Sequence, residues 1–267
     1  MKQLRKILFI TLLILVASCG KDDDINDIEK GIPCIPSGLE NDVIAFYPFS
    51  NGSLNDISGN SENLSNSTTA SATSDRNGNA NCAFEFDNMP TSSEFLTTTN
   101  TTFLNGLNEF SISLWYMPQN TSRSGGDIES LINRDLGFSC PDRNGQWSVG
   151  LFDCRKAVFA RTNSVWDQNI TNFDCEQEVI VRTDTWSHLV GTFNQNNLEM
   201  KIYRNGILQD SSIGNASCGS GIPSYQDIGD LFLGKDYTGK IDDVIIFDKS
   251  LSQLEVNSLF NMEPCCD

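Results

Sequence analysis

Phe110-Ser111-Ile112-Ser113-Leu114-Trp115-Tyr116 alternates large apolar side chains with smaller or polar ones. Successive side chains of a strand point to opposite faces. Phe110, Ile112, Leu114 and Tyr116 therefore share one face, and the run reads as a β-strand buried mainly on that side. Comparable short runs occupy residues 43–49, 83–87, 128–132, 147–152, 158–161, 179–182, 188–193, 198–203, 231–233 and 241–247, separated by clusters of Asn, Ser, Gly and Thr. Asn205-Gly206 is a tight-turn signal between two of them. Only one helix is well signalled: Ser252 and Glu255 form a capping box, with Leu251 and Val256 at the staple positions. Leu254, Leu259 and Phe260 are placed to face the sheet. Many short strands without alternating helices predict an all-β fold, a two-sheet antiparallel jelly-roll sandwich with one short C-terminal helix. Residues 60–81, rich in Asn, Ser, Thr and Ala, read as a surface excursion.

The other end of the chain carries an address. Lys2, Arg5 and Lys6 precede an apolar run over residues 7–16, then Ala17-Ser18-Cys19. That order is a secretory signal peptide, too short for a comfortable membrane span. Leu15-Val16-Ala17-Ser18-Cys19 resembles a bacterial lipobox, which implies cleavage before Cys19 and a lipid on its thiol. Several acyl chains at one point would hold the chain durably on a membrane. Gly20-Lys21-Asp22-Asp23-Asp24 reads as a solvated tether. It also resembles the acidic export signal of some Bacteroidetes lipoproteins, which implies an outer-membrane lipoprotein exposed at the cell surface. The expected organisation is a signal peptide (1–18), a lipidated flexible tether (19–41), the sandwich domain (42–262) and a Cys-containing tail (263–267).

Removing the three basic residues of the leader takes the formal net charge from −17 to −20. So acidic a chain repels phosphate backbones, which argues against nucleic acid as a partner. Of nine cysteines, eight remain beside Cys19, an even number in an exported protein, which predicts disulfides. A zinc cluster is disfavoured, because no CxxC pair is present and His188 is the single histidine. Cys140 and Cys154 flank the residue 147–152 strand and its turn, and a hairpin-like return would bring them together. Cys175–Cys218 is a further expected pair between loops.

Six segments, in order, resemble the laminin-G-like jelly roll of the concanavalin A-like lectin/glucanase superfamily. They are Ala45-Phe46-Tyr47-Pro48-Phe49 with the Leu54-Asn55-Asp56 stretch after it, Gly78 to Asp87, Phe110 to Tyr116, Trp186 to Phe193, Met200 to Gly206, and Gly239 to Asp248 with residues 251–259 following. The resemblance spans residues 43–261 and implies the fold rather than one function. It places the first and last strands side by side, which implies that Cys34 joins Cys265 or Cys266. It also implies a structural Ca2+ between the Asp56–Asn60 loop and Asp242. Calcium takes about six to eight oxygens from carboxylates, amides and carbonyls. The alternative is that Asp56 caps a turn and Asp242 faces solvent.

Catalysis is poorly supported. Retaining glycosidases need two carboxylates about 5 Å apart. The related glucanases present Glu-x-Asp-x-x-Glu, and here Glu85-Phe86-Asp87-Asn88-Met89-Pro90 lacks the third acid. His188 occupies a Trp-x-His strand position of the family and reads as structural. Binding is the better class: Trp166, Tyr225 and Tyr237 lie between strands as candidate sugar platforms, with loop anchoring as their plainer role. Trp115 and Trp186 are assigned to packing, and Trp147 fits either role. The expectation is a non-enzymatic surface lipoprotein that binds extracellular carbohydrate, or alternatively an adhesin that binds a protein or matrix.

Overall fold

The short apolar runs become fourteen strands in a computed structural model, which describes residues 31–88, 93–98, 100–119, 128–134, 146–152, 155–161, 166–168, 184–213 and 229–266. The first sheet contains β1 (Val43–Tyr47), β2 (Ser71–Thr73), β3 (Ala83–Phe86), β5 (Glu109–Pro118), β10 (Ser187–Asn194), β11 (Glu199–Arg204), β12 (Ile207–Ile213) and β14 (Gly239–Phe247). Its order is β12-β11-β10-β5-β14-β3-β2, and β1 also pairs with β14. The second sheet contains β4 (Leu96–Thr98), β6 (Ile128–Arg134), β7 (Trp147–Phe152), β8 (Lys156–Arg161), β9 (Trp166–Gln168) and β13 (Leu231–Leu233), in the order β4-β13-β6-β7-β8-β9. All strand pairs are antiparallel. The expected strand at 179–182 lies outside the described residues, as do Cys19, Cys140, Cys154, Cys175, Cys218 and Tyr225.

The main core lies between the sheets. Phe110, Ile112, Leu114 and Tyr116 meet Trp147, Val149, Leu151 and Phe159 there, as the alternation of β5 requires. The opposite face of β5 is also buried, which the serines did not announce. A second cluster covers that side of the first sheet. It joins Phe46, Val190, Tyr203, Ile245 and Phe247 to Leu251, Val256 and Leu259 of the C-terminal helix α1 (Gln253–Phe260) and its approach. Ser111 bridges this second layer: its hydroxyl donates to Lys249 O (2.6 Å) and accepts from Leu251 N (2.9 Å).

The capping box forms as read, with the Ser252 side chain accepting from Glu255 N. One helical residue departs from expectation: Leu254 is 78% exposed, while Val256 and Leu259 face the sheet. The segment before β1 departs too. Residues 31–41 are docked rather than free, with Ile35 and Leu39 buried in the second cluster and Cys34 bonded to Cys265. The expected surface excursion at 60–81 contains β2 and buries Leu64 and Ala70 in the main core. Among the described residues no helix is long and apolar enough to cross a membrane.

Gly234 shows how tightly the sandwich closes. Its φ is +77°, and a Cβ there would run into the ring of Phe86. Gly59, at φ +97°, has open space around the same position. Both substitutions with Ala meet left-handed strain, but only Gly234→Ala adds overpacking. Gly234→Ala should lower the free energy of unfolding by about 2–4 kcal/mol and Gly59→Ala by about 1–2. Urea denaturation of the two variants checks this, and equal losses would contradict it.

Candidate functional site

The register of the second sheet lines up one row of residues across all six strands. Thr97 pairs with Phe232, Phe232 with Asn133, Asn133 with Ser148, Ser148 with Ala160, and Ala160 with Trp166. Leu231 and Leu233, on either side of Phe232, lie in the main core, so this row belongs to the outer face. A second row on the same face runs Ser130, Gly150, Val158, Gln168. The middle of these rows is small and polar, and Ser130, Asn133, Ser148, Val158 and Ala160 are all buried. Ser130 Oγ donates to Asn133 Oδ1 (2.7 Å), and both side chains are buried. At the Phe232 end, Phe95 meets Phe232 edge-on (centroids 5.3 Å apart) and Lys235 Nζ lies 4.5 Å from the Phe232 ring centre. Neither row contains an aspartate or glutamate.

Of the expected platforms, Trp166 lies in β9, where its backbone pairs with Ala160. Tyr237 is fully buried in the main core, with its hydroxyl donating to Lys240 O (3.4 Å) and burial raising its pKa. Gly239 has no Cβ, and one there would collide with the Tyr237 ring and Met117 O. The polar neighbours of Tyr237 concealed a core residue. Trp147 also packs in the main core, against Phe110. Glu85 lies in the other sheet, opposite Ser71 and Lys240.

The expected calcium ligands serve separate protein partners. Asp56 Oδ1 accepts from Phe46 N and Ser58 N (both 2.9 Å), and Oδ2 accepts from Ser58 Oγ (2.8 Å) and Glu62 N (3.1 Å). Four donors satisfy that carboxylate without a metal. Asn60 Nδ2 donates to Ile44 O (3.1 Å) and Ser58 Oγ (3.1 Å). Asp242 is buried rather than solvent-facing, and its partner is Arg76: Nη1 lies 3.0 Å from Asp242 Oδ2 and 2.6 Å from Asp243 Oδ2. A register shift in β14 between Asp242 and Ile245, with Asp243 at φ +44°, accompanies this shared contact. Arg76 Nη2 also donates to Met262 O (2.8 Å), and its guanidinium carbon lies 4.4 Å from the Trp115 ring centre.

Burial drives the titration of this region. It raises Asp242 well above the carboxylate range, helped by the neighbouring Asp243 charge and opposed by Arg76. Burial likewise raises Asp243 to about 6, again against Arg76. His188, whose Nε2 is hydrogen-bonded to Ser113 Oγ (2.8 Å), is pushed down to about 3 by burial and then by Arg76. It is a neutral core histidine with tilted ring contacts to Trp115 and Phe260, which stack on each other.

Two disulfides enclose the network, Cys34–Cys265 and Cys82–Cys266. The second was not anticipated. Asp75, Cys82 and Cys266 place ligand-type atoms within 4.8 Å of one another. With the sulfurs bonded to each other, neither offers a thiolate to a metal. The sequence held one clue to Arg76: two adjacent acids inside the apolar run 241–247 call for a counter-charge.

The model of the Laminin_G_3 family, described as the concanavalin A-like lectin/glucanases superfamily, matches residues 90–257, and the chain belongs to it. No curated protein matches in sequence. Among solved structures, the binding domain of botulinum neurotoxin DC, in complex with rat synaptotagmin II, superposes with a TM-score of 0.63 at 19% identity, covering 84% of this chain and 52% of that one. The binding domain of Paraclostridial Mosquitocidal Protein 1 gives 0.62 at 19% identity, with the same 84% and 52%. This chain thus spans about half the length of those toxin chains. Domain 4 of AbnA, an extracellular arabinanase from Geobacillus stearothermophilus in complex with arabinotriose, gives 0.56 at 17% identity, covering 82% of this chain and 98% of that domain. At such identities the likeness is one of fold.

The buried titrating groups act on stability in opposite senses. Asp243, raised in the folded state, contributes stability that is present below about pH 4 and lost as pH rises through 6. His188, depressed in the folded state, contributes stability present above about pH 6.5 and lost as pH falls towards 3. His188→Gln removes only the second effect. The variant should gain on the wild type by about 1.4 kcal/mol per pH unit below about pH 6. Chemical denaturation from pH 7 to 4 reads the difference, and a gap that does not change with pH would refute the assignment.

Proposed function

We propose that this superfamily member is a non-catalytic binding module for extracellular carbohydrate, seated on the outer face of its six-stranded sheet. The observation that carries this reading is the row Phe232-Asn133-Ser148-Ala160-Trp166. The amide of Asn133 and the hydroxyl of Ser148 on a small-residue floor match the hydroxyls of a sugar, and the ring of Phe232 matches its apolar face. The rows supply no carboxylate pair for glycoside hydrolysis. The AbnA domain in complex with arabinotriose shows that a sandwich of this kind is compatible with a saccharide ligand.

A second reading is an adhesin that binds a protein, favoured by the neurotoxin binding domain in complex with synaptotagmin. In either case the leader and Cys19 support export and lipid anchoring, with the domain displayed outside the cell.

The mature soluble domain should bind a restricted set of saccharides on a glycan array, and Trp166→Ala should weaken the best hit at least about tenfold, roughly 1.4 kcal/mol. A silent array with retained binding to protease-sensitive targets on whole cells would favour the adhesin. Hydrolysis of a polysaccharide panel, abolished in Glu85→Gln, would overturn the non-enzymatic reading. Cys19→Ala should move the chain from the membrane to the soluble fraction, and unchanged membrane association would refute the lipid anchor.

A further inference from the structure

The last row of the second sheet on its core-facing side carries two arginines. Trp147 pairs with Arg134 on one side and with Arg161 on the other. Trp147 belongs to the main core, so this row points between the sheets. Arg161 follows that course: its guanidinium carbon lies 3.7 Å from the ring centre of Phe193 on the facing sheet. Phe110 stands beside both aromatic rings, 6.0 Å from Trp147 and 5.7 Å from Phe193 between centroids.

Neither arginine meets a carboxylate among the described residues, although the chain carries 35 acidic residues against 18 basic ones. Arg134 Nη1 donates to Leu104 O (2.7 Å) and Nη2 to Thr101 O (3.1 Å) and Asn105 Oδ1 (2.5 Å), all uncharged. Its Nε is buried with no partner. Arg161 is partly exposed, and the Phe193 ring that covers it offers no oxygen to its five N–H groups. Burial lowers both guanidinium groups to about 10. Arg76 and Arg155, whose side chains are also buried, do end on carboxylates, Asp242 with Asp243 and Glu129 respectively. The acids at this end of the first sheet, Glu109 and Glu199, share the row of Asn194 and so lie on the far side of that sheet from Phe193. Glu109 accepts from Asn196 Nδ2 (3.1 Å), and Glu199 pairs with Lys201 (2.8 Å).

A guanidinium held partly out of water without a counter-charge is costly, and an oxyanion offsets that cost through charge-assisted hydrogen bonds. The contact with Phe193 fixes one face of the Arg161 guanidinium and leaves its planar fork to meet two oxygens at once. We propose that Arg161 is the contact residue of an oxyanion site at this end of the sandwich, which takes the carboxylate or sulfate group of an acidic saccharide. Arg134, two strands away at about 10 Å, adds a second positive charge behind Trp147. Arg134 and Arg161 directly follow Asn133 and Ala160, so the site lies one residue beyond the longer outer-face row along the strands. The saccharide as source rests on the reading of the domain as a carbohydrate-binding module, whereas the oxyanion site stands without it. A formal net charge of −17 repels dense polyanions, which fits a ligand with isolated acidic groups.

The test uses the full mature chain carrying Cys19→Ala, so that it stays in solution. Sodium sulfate is titrated while the arginine Nε–H resonances are followed by NMR, with sodium chloride at equal ionic strength as the blank. The Arg161 resonance, assigned from its absence in Arg161→Lys, should shift saturably with sulfate and not with chloride. The same chain and Arg161→Gln are then compared on an array of neutral and acidic glycans. Acidic hits should weaken at least about tenfold in Arg161→Gln, and neutral hits should stay within about twofold. Arg161→Lys, which keeps the charge and loses the fork, should fall between. No saturable response of Arg161 to sulfate would overturn the site, and this arm reads the native arginine, so it stands whatever the variants do. A saturable response with acidic hits unchanged in Arg161→Gln, or with neutral hits alone, would overturn the saccharide as source and leave a site for free anions. An array silent for every glycan would count against the carbohydrate-binding reading, while the sulfate titration still decides the oxyanion site.

Discussion

One guanidinium between two buried carboxylates organises the closed side of this domain. Arg76 arrives from the loop after β2 and meets Asp242 and Asp243 in the last strand. Two adjacent aspartates inside an apolar strand would otherwise be a severe desolvation cost. One residue meets both of them, and it also holds Met262 O and covers Trp115. The bulge of β14 at Asp243, the seat of the C-terminal tail and the packing of Phe260 over Trp115 meet at this contact. The two disulfides fasten the same place from outside and join the start, the third strand and the tail of the domain. Loop closure over sequence separations of 231 and 184 makes such links effective in the chain-entropy model.

The strands and the capping box were legible because their signals are local. Alternation over residues 110–116 reports one buried face, and Ser252 with Glu255 reports a helix start. What lay on the far face of β5 was not legible, because small serines suit both solvent and a tightly packed second layer. Arg76 and Asp242 are 166 positions apart, and no spacing rule joins them. Tyr237 was read as a candidate platform from its place between strands, yet Gly239 leaves room for its ring in the core. Leu254 was read as sheet-facing because it is apolar. The helix instead turns Val256 and Leu259 inward. Backbone amides at Asp56 and an arginine at Asp242 meet the carboxylates on which calcium was expected, and no local signal in the sequence announces those partners.

These features divide the molecule by role. The first sheet carries the Cys34–Cys265 link, the helix and the ion network, which close the domain. The second sheet has a core face rich in Leu, Ile, Val and aromatic residues, and an outer face that mixes Ser130, Asn133, Ser148, Gly150 and Ala160 with Thr97, Val158 and Phe232. Ser130, Asn133, Ser148, Val158 and Ala160 of that outer face are buried, and Ser130 is hydrogen-bonded to Asn133. The single histidine is neutral in the core, and the acidic pair is bound to arginine. The ionisable groups of the closed side therefore support the fold and stand apart from the face assigned to binding.

The central claim is that ligand binds on the outer face of the six-stranded sheet. Its most direct test is amide chemical-shift mapping of the isotopically labelled domain during titration with a bound saccharide. Shifts centred on Ser130, Asn133, Ser148, Ala160 and Trp166, with Arg76, Asp242 and α1 unmoved, are the expected result. Shifts centred on β1, β14 or α1, with the six-stranded sheet silent, would contradict it.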